Sequence, residues 1–70
     1  MTNDPTRLRK RSVTIAGHAT SVSMEDAFWT RLATIAEAEG KSVAKVIRDV
    51  DNGRDGNLSS ALRVYILENS

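Results

Sequence analysis

The stretch that decides the fold is residues 20–50, TSVSMEDAFWTRLATIAEAEGKSVAKVIRDV. It begins with alternating hydroxyl and apolar residues, which is typical of a β-strand with one buried face. The period then changes, and apolar residues from Phe28 to Ala36 recur at helical spacing before Gly40 offers a helix stop. Ser42 is a good N-cap for a second helix with one aliphatic face. The pattern predicts a strand, a helix, a tight turn and another helix.

A second alternating segment lies upstream of this stretch. Residues 12–15 alternate hydroxyl and apolar side chains, and Gly17 separates them from the strand at residues 20–24. Glycine accepts a positive φ at little cost, so the segment between the two alternations is a turn or a bulge. The sequence leaves open whether residues 12–24 form a hairpin or a bent single strand.

The remaining elements follow from capping and composition. Ser23, followed three residues later by Asp26, fits a capping box at the start of the first helix, and Asn57 can cap a third helix. The predicted elements are a strand or hairpin at 12–24 and helices at 24–39, 42–51 and 58–67. They form a single domain over residues 11–70, and residues 1–10 are expected to be a disordered basic arm.

Length and composition exclude several kinds of site. A chain of 70 residues buries only about 60% of its unfolded surface, and such domains usually need a disulfide, a metal or a second copy of themselves. The chain has no cysteine and only His18 as histidine, so we expect no cofactor and no metal. Oligomerisation is the stabiliser that remains. No nucleophile–base pair or phosphate loop is present, so an enzyme is the least expected class.

Charge is unevenly distributed along the chain. Residues 1–23 carry four basic side chains against one acidic one, whereas residues 24–70 carry six basic against eight acidic. A basic segment ahead of a mildly acidic body is suited to phosphates. The longest hydrophobic run has four residues, Val64 to Leu67, and no apolar signal follows the N-terminus. We therefore expect a cytoplasmic protein without membrane contact.

Residues 20–50, with RSVTIAGHATSVSMEDAFW around their start and GNLSSALRVYIL near the chain end, resemble the ribbon-helix-helix DNA-binding domain, the class of the Arc and MetJ repressors. The resemblance covers about 60 of the 70 residues and is closest to small bacterial members. It implies a mainly α fold with a short N-terminal β-ribbon, an intertwined homodimer and an extra C-terminal helix. The major groove of DNA admits a two-stranded ribbon, and strands of two chains would pair to form it.

The resemblance also implies site residues. Outward ribbon side chains would contact bases, and the start of the second helix would hold a phosphate. The expected base-reading residues are Ser21 and Ser23 or, in the upstream segment, Ser12, Thr14 and Arg11. The expected phosphate ligands are Arg9, Lys10, Lys41 and Ser42. The expected dimer core is Val22, Met24, Phe28, Leu32, Ile35, Val46 and Ile47.

Three functions remain open from the sequence. The first is a homodimeric DNA-binding protein, a transcriptional repressor or autoregulator with double-stranded DNA as its partner. The second is an antitoxin whose C-terminal helix binds a toxin protein. The third is a dimeric protein-interaction module without DNA binding. None of the three uses a small-molecule substrate.

Overall fold

A β-hairpin and three helices make up the fold in the computed structural model, which describes residues 4–53 and 56–70. The elements in chain order are β1 (Leu8–Ile15), β2 (His18–Glu25), α1 (Asp26–Ala38), α2 (Val43–Gly53) and α3 (Leu58–Glu68). This order confirms the predicted ribbon-helix-helix arrangement with an extra C-terminal helix. No helix within the described ranges is long and apolar enough to cross a membrane.

The two strands form an antiparallel hairpin within one chain. Their register runs from Leu8 opposite Glu25 to Ile15 opposite His18. The two-residue loop has positive φ at both Ala16 (51°) and Gly17 (82°), the backbone that a tight hairpin turn with right-handed strand twist requires. The alternative of a bent single strand is therefore wrong. Within one chain β1 pairs with β2, and the pairing of strands from two chains stays a prediction.

The N-terminal segment is structured from residue 4 onward, in contrast to the disordered arm expected over residues 1–10. Residues 8–10 lie in β1, and the preceding turn provides carbonyl acceptors for the start of α1. The backbone N–H of Asp26 donates to Arg7 O at 2.8 Å, and that of Ala27 donates to Pro5 O at 3.0 Å. Residues 1–3 of the expected arm lie outside the described residues.

These carbonyls replace the capping box that was expected at residues 23–26. Ser23 lies in β2, and the N-cap residue of α1 is Glu25, whose side chain makes no capping hydrogen bond. The first N–H groups of a helix need partners, and here Pro5 and Arg7 supply them. Tertiary pairing therefore starts α1 two residues later than expected.

The glycine stop of α1 and the cap of α3 agree with the sequence, whereas α2 extends to Gly53, two residues beyond its predicted end. Gly40 has φ 68°, its N–H donates to Glu37 O at 3.1 Å and the N–H of Lys41 donates to Ala36 O at 2.9 Å. This pair of bonds is a Schellman motif, which a left-handed residue makes possible. Asn57 Oδ1 accepts from Ser60 N at 3.1 Å, which confirms the predicted cap of α3.

One core joins the helix-facing side of the hairpin to all three helices. Six of the seven expected core residues are buried, and Phe28 is half-buried. Because the described residues of a single chain bury them, their burial does not depend on a second copy. The core also contains residues that the prediction of the dimer core did not include: Ile15, Trp29, Ala36, Leu58, Leu62 and Ile66.

Candidate nucleic-acid interface

The outward face of the hairpin is a surface of small polar side chains. Residues directly opposite each other in an antiparallel pair share a face. Lys10 lies opposite Ser23, Ser12 opposite Ser21 and Thr14 opposite Ala19. All six are exposed except Ser23, which is half-buried. The structure thus brings four expected base-reading residues and Lys10 onto one surface, which we call the hydroxyl face (Lys10, Ser12, Thr14, Ser21, Ser23).

Two expected DNA-contacting residues lie on the other side of β1. Arg9 and Arg11 alternate with the hydroxyl face and share their side of the strand with Ile15, which is buried. Arg9 Nε lies 2.8 Å from Asp26 Oδ1, and the guanidinium of Arg11 lies 4.7 Å from the ring centroid of Trp29. Both cations therefore secure β1 to α1 and do not join the hydroxyl face.

The start of α2 is an ordered, capped helix terminus. Ser42 Oγ accepts from Lys45 N at 3.1 Å, so Ser42 acts as the predicted N-cap. Free N–H groups and the helix dipole make such a terminus attractive to anions. Asp49 lowers the positive potential at this terminus, because its carboxylate pairs with the two nearby lysines. It lies 3.4 Å from Lys41 Nζ and 2.7 Å from Lys45 Nζ.

These ion pairs shift the titration of their members. The hydrogen bond from Lys45 holds the pKa of Asp49 below its usual range, and the bond from Lys41 acts in the same direction. Glu39, whose carboxylate lies 3.3 Å from Lys41 Nζ, raises the pKa of Lys41, with Asp49 as the second cause. Lys41, an expected phosphate ligand, is thus shared between two carboxylates.

A surface concavity connects the hydroxyl face to α2. Its volume is about 520 Å³, and Thr14, Gly17, Ser42, Lys45 and Arg48 are among its lining residues. The hairpin turn therefore lies beside the N-terminus of α2, and one surface runs from the strands to the helix start. Such a surface presents hydroxyls and cations together, which is what phosphate and base contacts use.

Arg48 is a residue of this surface that the sequence prediction missed. It is exposed, lines the concavity beside Thr14, and has no ion pair within residues 4–53 and 56–70. The sequence contains a signal for this position. Arg48 follows Lys45 at a helical spacing of three, so the two cations lie on the same side of α2.

The C-terminal end of β2 contacts α3. The backbone N–H of Ser23 donates to Ser59 Oγ at 3.3 Å, and Arg63 Nη2 donates to Ser23 O at 3.4 Å. Arg63 is itself held by Glu25, at 3.1 Å from Oε1. The third helix therefore occupies both outward backbone groups of Ser23.

Comparison with known families agrees with this architecture. A family model described as "Ribbon-helix-helix domain" matches residues 8–70. The chain belongs to the ribbon-helix-helix family. Ribbon-helix-helix domains are in general non-enzymatic DNA-binding domains of transcription regulators and antitoxins, and dimerisation is general among them.

A solved structure extends the comparison to three dimensions. An uncharacterized protein from Bordetella pertussis Tohama I superposes with a TM-score of 0.79 at 32% sequence identity, over 96% of this chain. This chain spans 58% of the length of that protein. No curated protein matches the chain.

Proposed function

We propose that the chain binds double-stranded DNA as a transcriptional repressor or autoregulator in the bacterial cytoplasm. The hydroxyl face would enter the major groove, whose width admits a two-stranded ribbon. The observation that carries this proposal is the continuous surface from Thr14 to Ser42 and Arg48, which joins a ribbon to a helix terminus. Family membership supports it.

The roles within the surface follow from reach and charge. Serine and threonine contact either kind of base edge and discriminate weakly, so Ser12, Thr14 and Ser21 would adapt the ribbon to the groove. Lys10 and Arg48 would neutralise phosphates and release counterions. Ser42 would orient the backbone N–H groups of the α2 terminus toward a third phosphate.

A homodimer is part of the proposal, because dimerisation is general in the family. Two copies related by a twofold axis would occupy two half-sites of a palindromic operator. Each copy would then place its own α2 terminus on the DNA backbone. Repression follows if such a site overlaps a promoter.

The deciding experiment is a salt titration of DNA binding. Fluorescence anisotropy of a labelled mixed-sequence duplex should give an affinity that falls steeply with salt. Lys10→Ala and Arg48→Ala should each reduce the slope of log affinity against log salt by about one. Arg31→Ala is the matched control, because Arg31 is an exposed cation on α1 that donates to Ser70 Oγ at 3.2 Å. A slope near zero would contradict DNA binding and leave the interaction-module function. An equal loss with Arg31→Ala would show that DNA does not bind specifically at the hydroxyl face and Arg48.

The antitoxin function is favoured by one feature of α3. Val64 and Leu67 are 54% and 73% exposed, and with Ser60 they follow one outward stripe of the helix. A toxin bound there should dissociate from a Val64→Lys, Leu67→Lys double variant that still binds DNA. Unchanged copurification of the toxin with that variant would exclude this stripe.

A further inference from the structure

A surface groove runs between α2 and α3. Its volume is about 470 Å³, and α2 contributes Asp49, Val50 and Gly53 to its lining. Helix α3 contributes side chains that share one face of the helix: Ser60, Ala61, Val64, Tyr65 and Glu68. That face extends for about 12 Å along the α3 axis, or about two helical turns. A groove of this length between two helices suits the side of a third helix.

The apolar part of the groove is open to solvent. Val64 is 54% exposed, and Val50, Ala61 and Tyr65 are half-buried. The core of the described residues thus leaves these side chains partly uncovered. Neighbouring apolar side chains at a surface mark a site for another protein, and an apolar stripe on a docking helix would cover them.

The charged side chains of the groove are both acidic. They are Asp49 and Glu68, and every lining residue belongs to the described part of the chain. Glu68 is exposed and forms no ion pair within residues 4–53 and 56–70. An arginine or lysine beside the apolar stripe of a docking helix would lay its stem along the groove and its charge on a carboxylate. The groove therefore favours a helix that is apolar on one face and basic beside it.

Asp49 belongs to two surfaces. It lines the groove, and its carboxylate lies 2.7 Å from Lys45 Nζ and 3.4 Å from Lys41 Nζ at the start of α2. A partner cation that pairs with Asp49 competes with these lysines for the same two oxygens. Lys45 also lines the concavity beside the hydroxyl face, so its release would add a cation for a DNA phosphate. Lys41 would keep its ion pair with Glu39.

We propose that the groove between α2 and α3 binds an amphipathic helix of a partner protein, and that a basic side chain of this helix strengthens DNA binding by pairing with Asp49 in place of Lys45. Coupling between two sites is reciprocal, so DNA strengthens binding of the helix by the same factor. The groove includes Ser60 and Val64 of the outward stripe of α3 but not Leu67. The coupling rests on the proposed DNA-binding function, whereas the docking does not.

Two synthetic peptides of about three helical turns test the docking. Both carry a leucine stripe on an otherwise uncharged polar helix; one has a pair of arginines beside the stripe, and the other has glutamates in their place. Amide chemical shifts of the isotopically labelled full chain measure where each peptide binds. The arginine peptide should shift the amides of residues 49–53 and 60–68 and should bind severalfold more tightly than the glutamate peptide. Equal affinity of the two peptides, or shifts confined to another surface, would overturn the proposal.

Matched variants test the apolar and the acidic part of the groove. Val64→Gln should weaken binding of the arginine peptide severalfold, whereas Leu67→Gln should not, because Leu67 is 73% exposed on the same helix but lies outside the groove. Glu68→Gln should also weaken it, and Glu37→Gln, at an exposed position of α1, should not. Equal effects within either pair would contradict the docking. Groove amides that shift with protein concentration in the absence of peptide would show that a second copy covers the groove, which would also overturn it.

Anisotropy of the labelled duplex measures the coupling. The arginine peptide should tighten DNA binding of the unmodified chain severalfold. It should leave binding by Asp49→Asn unchanged, because Lys45 is already released in that variant and the carboxylate that the peptide needs is absent. Docking without tighter DNA binding, or an equal gain with Asp49→Asn, would overturn the coupling.

Two controls keep the outcomes apart. A titration of the duplex with peptide alone detects direct binding of the peptide to DNA, which would change the unmodified chain and Asp49→Asn alike. If the unmodified chain fails to bind the duplex, the proposed function fails. The chemical shifts still decide whether the groove binds a basic amphipathic helix.

Discussion

The indole N–H of Trp29 donates a hydrogen bond to the backbone carbonyl oxygen of Arg9 at 3.1 Å. The guanidinium of Arg11 lies over the same ring, and Trp29 is only 4% exposed. One side chain of α1 thereby secures β1 through a hydrogen bond and a cation–π contact. Since β1 carries Lys10, Ser12 and Thr14 of the hydroxyl face, this contact positions the candidate DNA-binding surface.

Replacing Trp29 by Phe should lower the free energy of unfolding by about 1–2 kcal/mol. The variant loses a part-buried hydrogen bond, worth about 1 kcal/mol, and weakens the cation–π contact, worth about 0.5–1 kcal/mol. Urea unfolding followed by circular dichroism measures the change. Tyr65→Phe is the control, because its hydroxyl bonds to the exposed Glu39 and its loss should have a smaller effect. Equal effects of the two variants would contradict the role assigned to Trp29.

Substitution of Ala16 by Asn or Gly should stabilise the hairpin. Ala16 has φ 51°, a left-handed conformation that costs an alanine about 1 kcal/mol and that Asn and Gly adopt more readily. We expect the unfolding free energy to rise by roughly 0.5–1 kcal/mol. Ala16→Val should have the opposite effect, because a branched side chain resists positive φ. A stabilising Ala16→Val would contradict the turn geometry.

Gly40→Ala should destabilise the protein by about 1 kcal/mol. An added Cβ at Gly40 would meet no atom within 4 Å, so the cost comes from φ 68° alone. Gly53→Ala is a matched control, since its Cβ also enters open space while Gly53 lies at the end of α2. Alanine there should be neutral or slightly stabilising. Thermal unfolding of both variants distinguishes the backbone strain at position 40 from the general effect of adding a methyl group.

Asp49→Asn should increase DNA affinity. The carboxylate of Asp49 engages both Lys41 and Lys45 at the start of α2. Its removal frees Lys45 beside the proposed phosphate site, whereas Lys41 keeps its ion pair with Glu39. We expect severalfold tighter binding at low salt and a salt slope steeper by about one. Asp51→Asn, on the same helix, serves as the control for a general change in net charge. An identical gain with both variants would contradict a local effect of Asp49.

Acid should weaken the ion pairs of the α2 start. Lys45 and Lys41 lower the pKa of Asp49 in the folded chain, so its charged form favours folding. That contribution is fully present above the pKa of the unfolded chain, about 4, and is lost as the pH falls through the lower folded value. Urea midpoints measured from pH 6 to pH 2 should decline, and Asp49→Asn should decline less. Parallel curves would show that Asp49 does not contribute.

The local elements were predictable because their signals lie within a few residues. The alternation around Val22, the Schellman glycine at position 40 and the caps Ser42 and Asn57 depend on short-range hydrogen bonds and periodicity. The order of strand, helix and helix follows from them, and the residues of the hydroxyl face follow from the two-residue period of the strands. Short-range interactions are enough to specify all of these features.

Only the tertiary structure shows which strands pair and which residues the charged side chains contact. Alternation is the same whether Ser12 faces Ser21 of its own chain or of a second one, so the sequence alone could not show that β1 and β2 pair within one chain. From the sequence, Arg9 and Arg11 were expected to contact DNA. In the folded chain Arg9 pairs with Asp26 and Arg11 lies over the ring of Trp29. Arg48 lies beside Thr14 because α2 packs near the hairpin turn, and the sequence does not show this packing. Contacts between distant residues depend on the folded arrangement of apolar surface and charge, and local periodicity does not encode them.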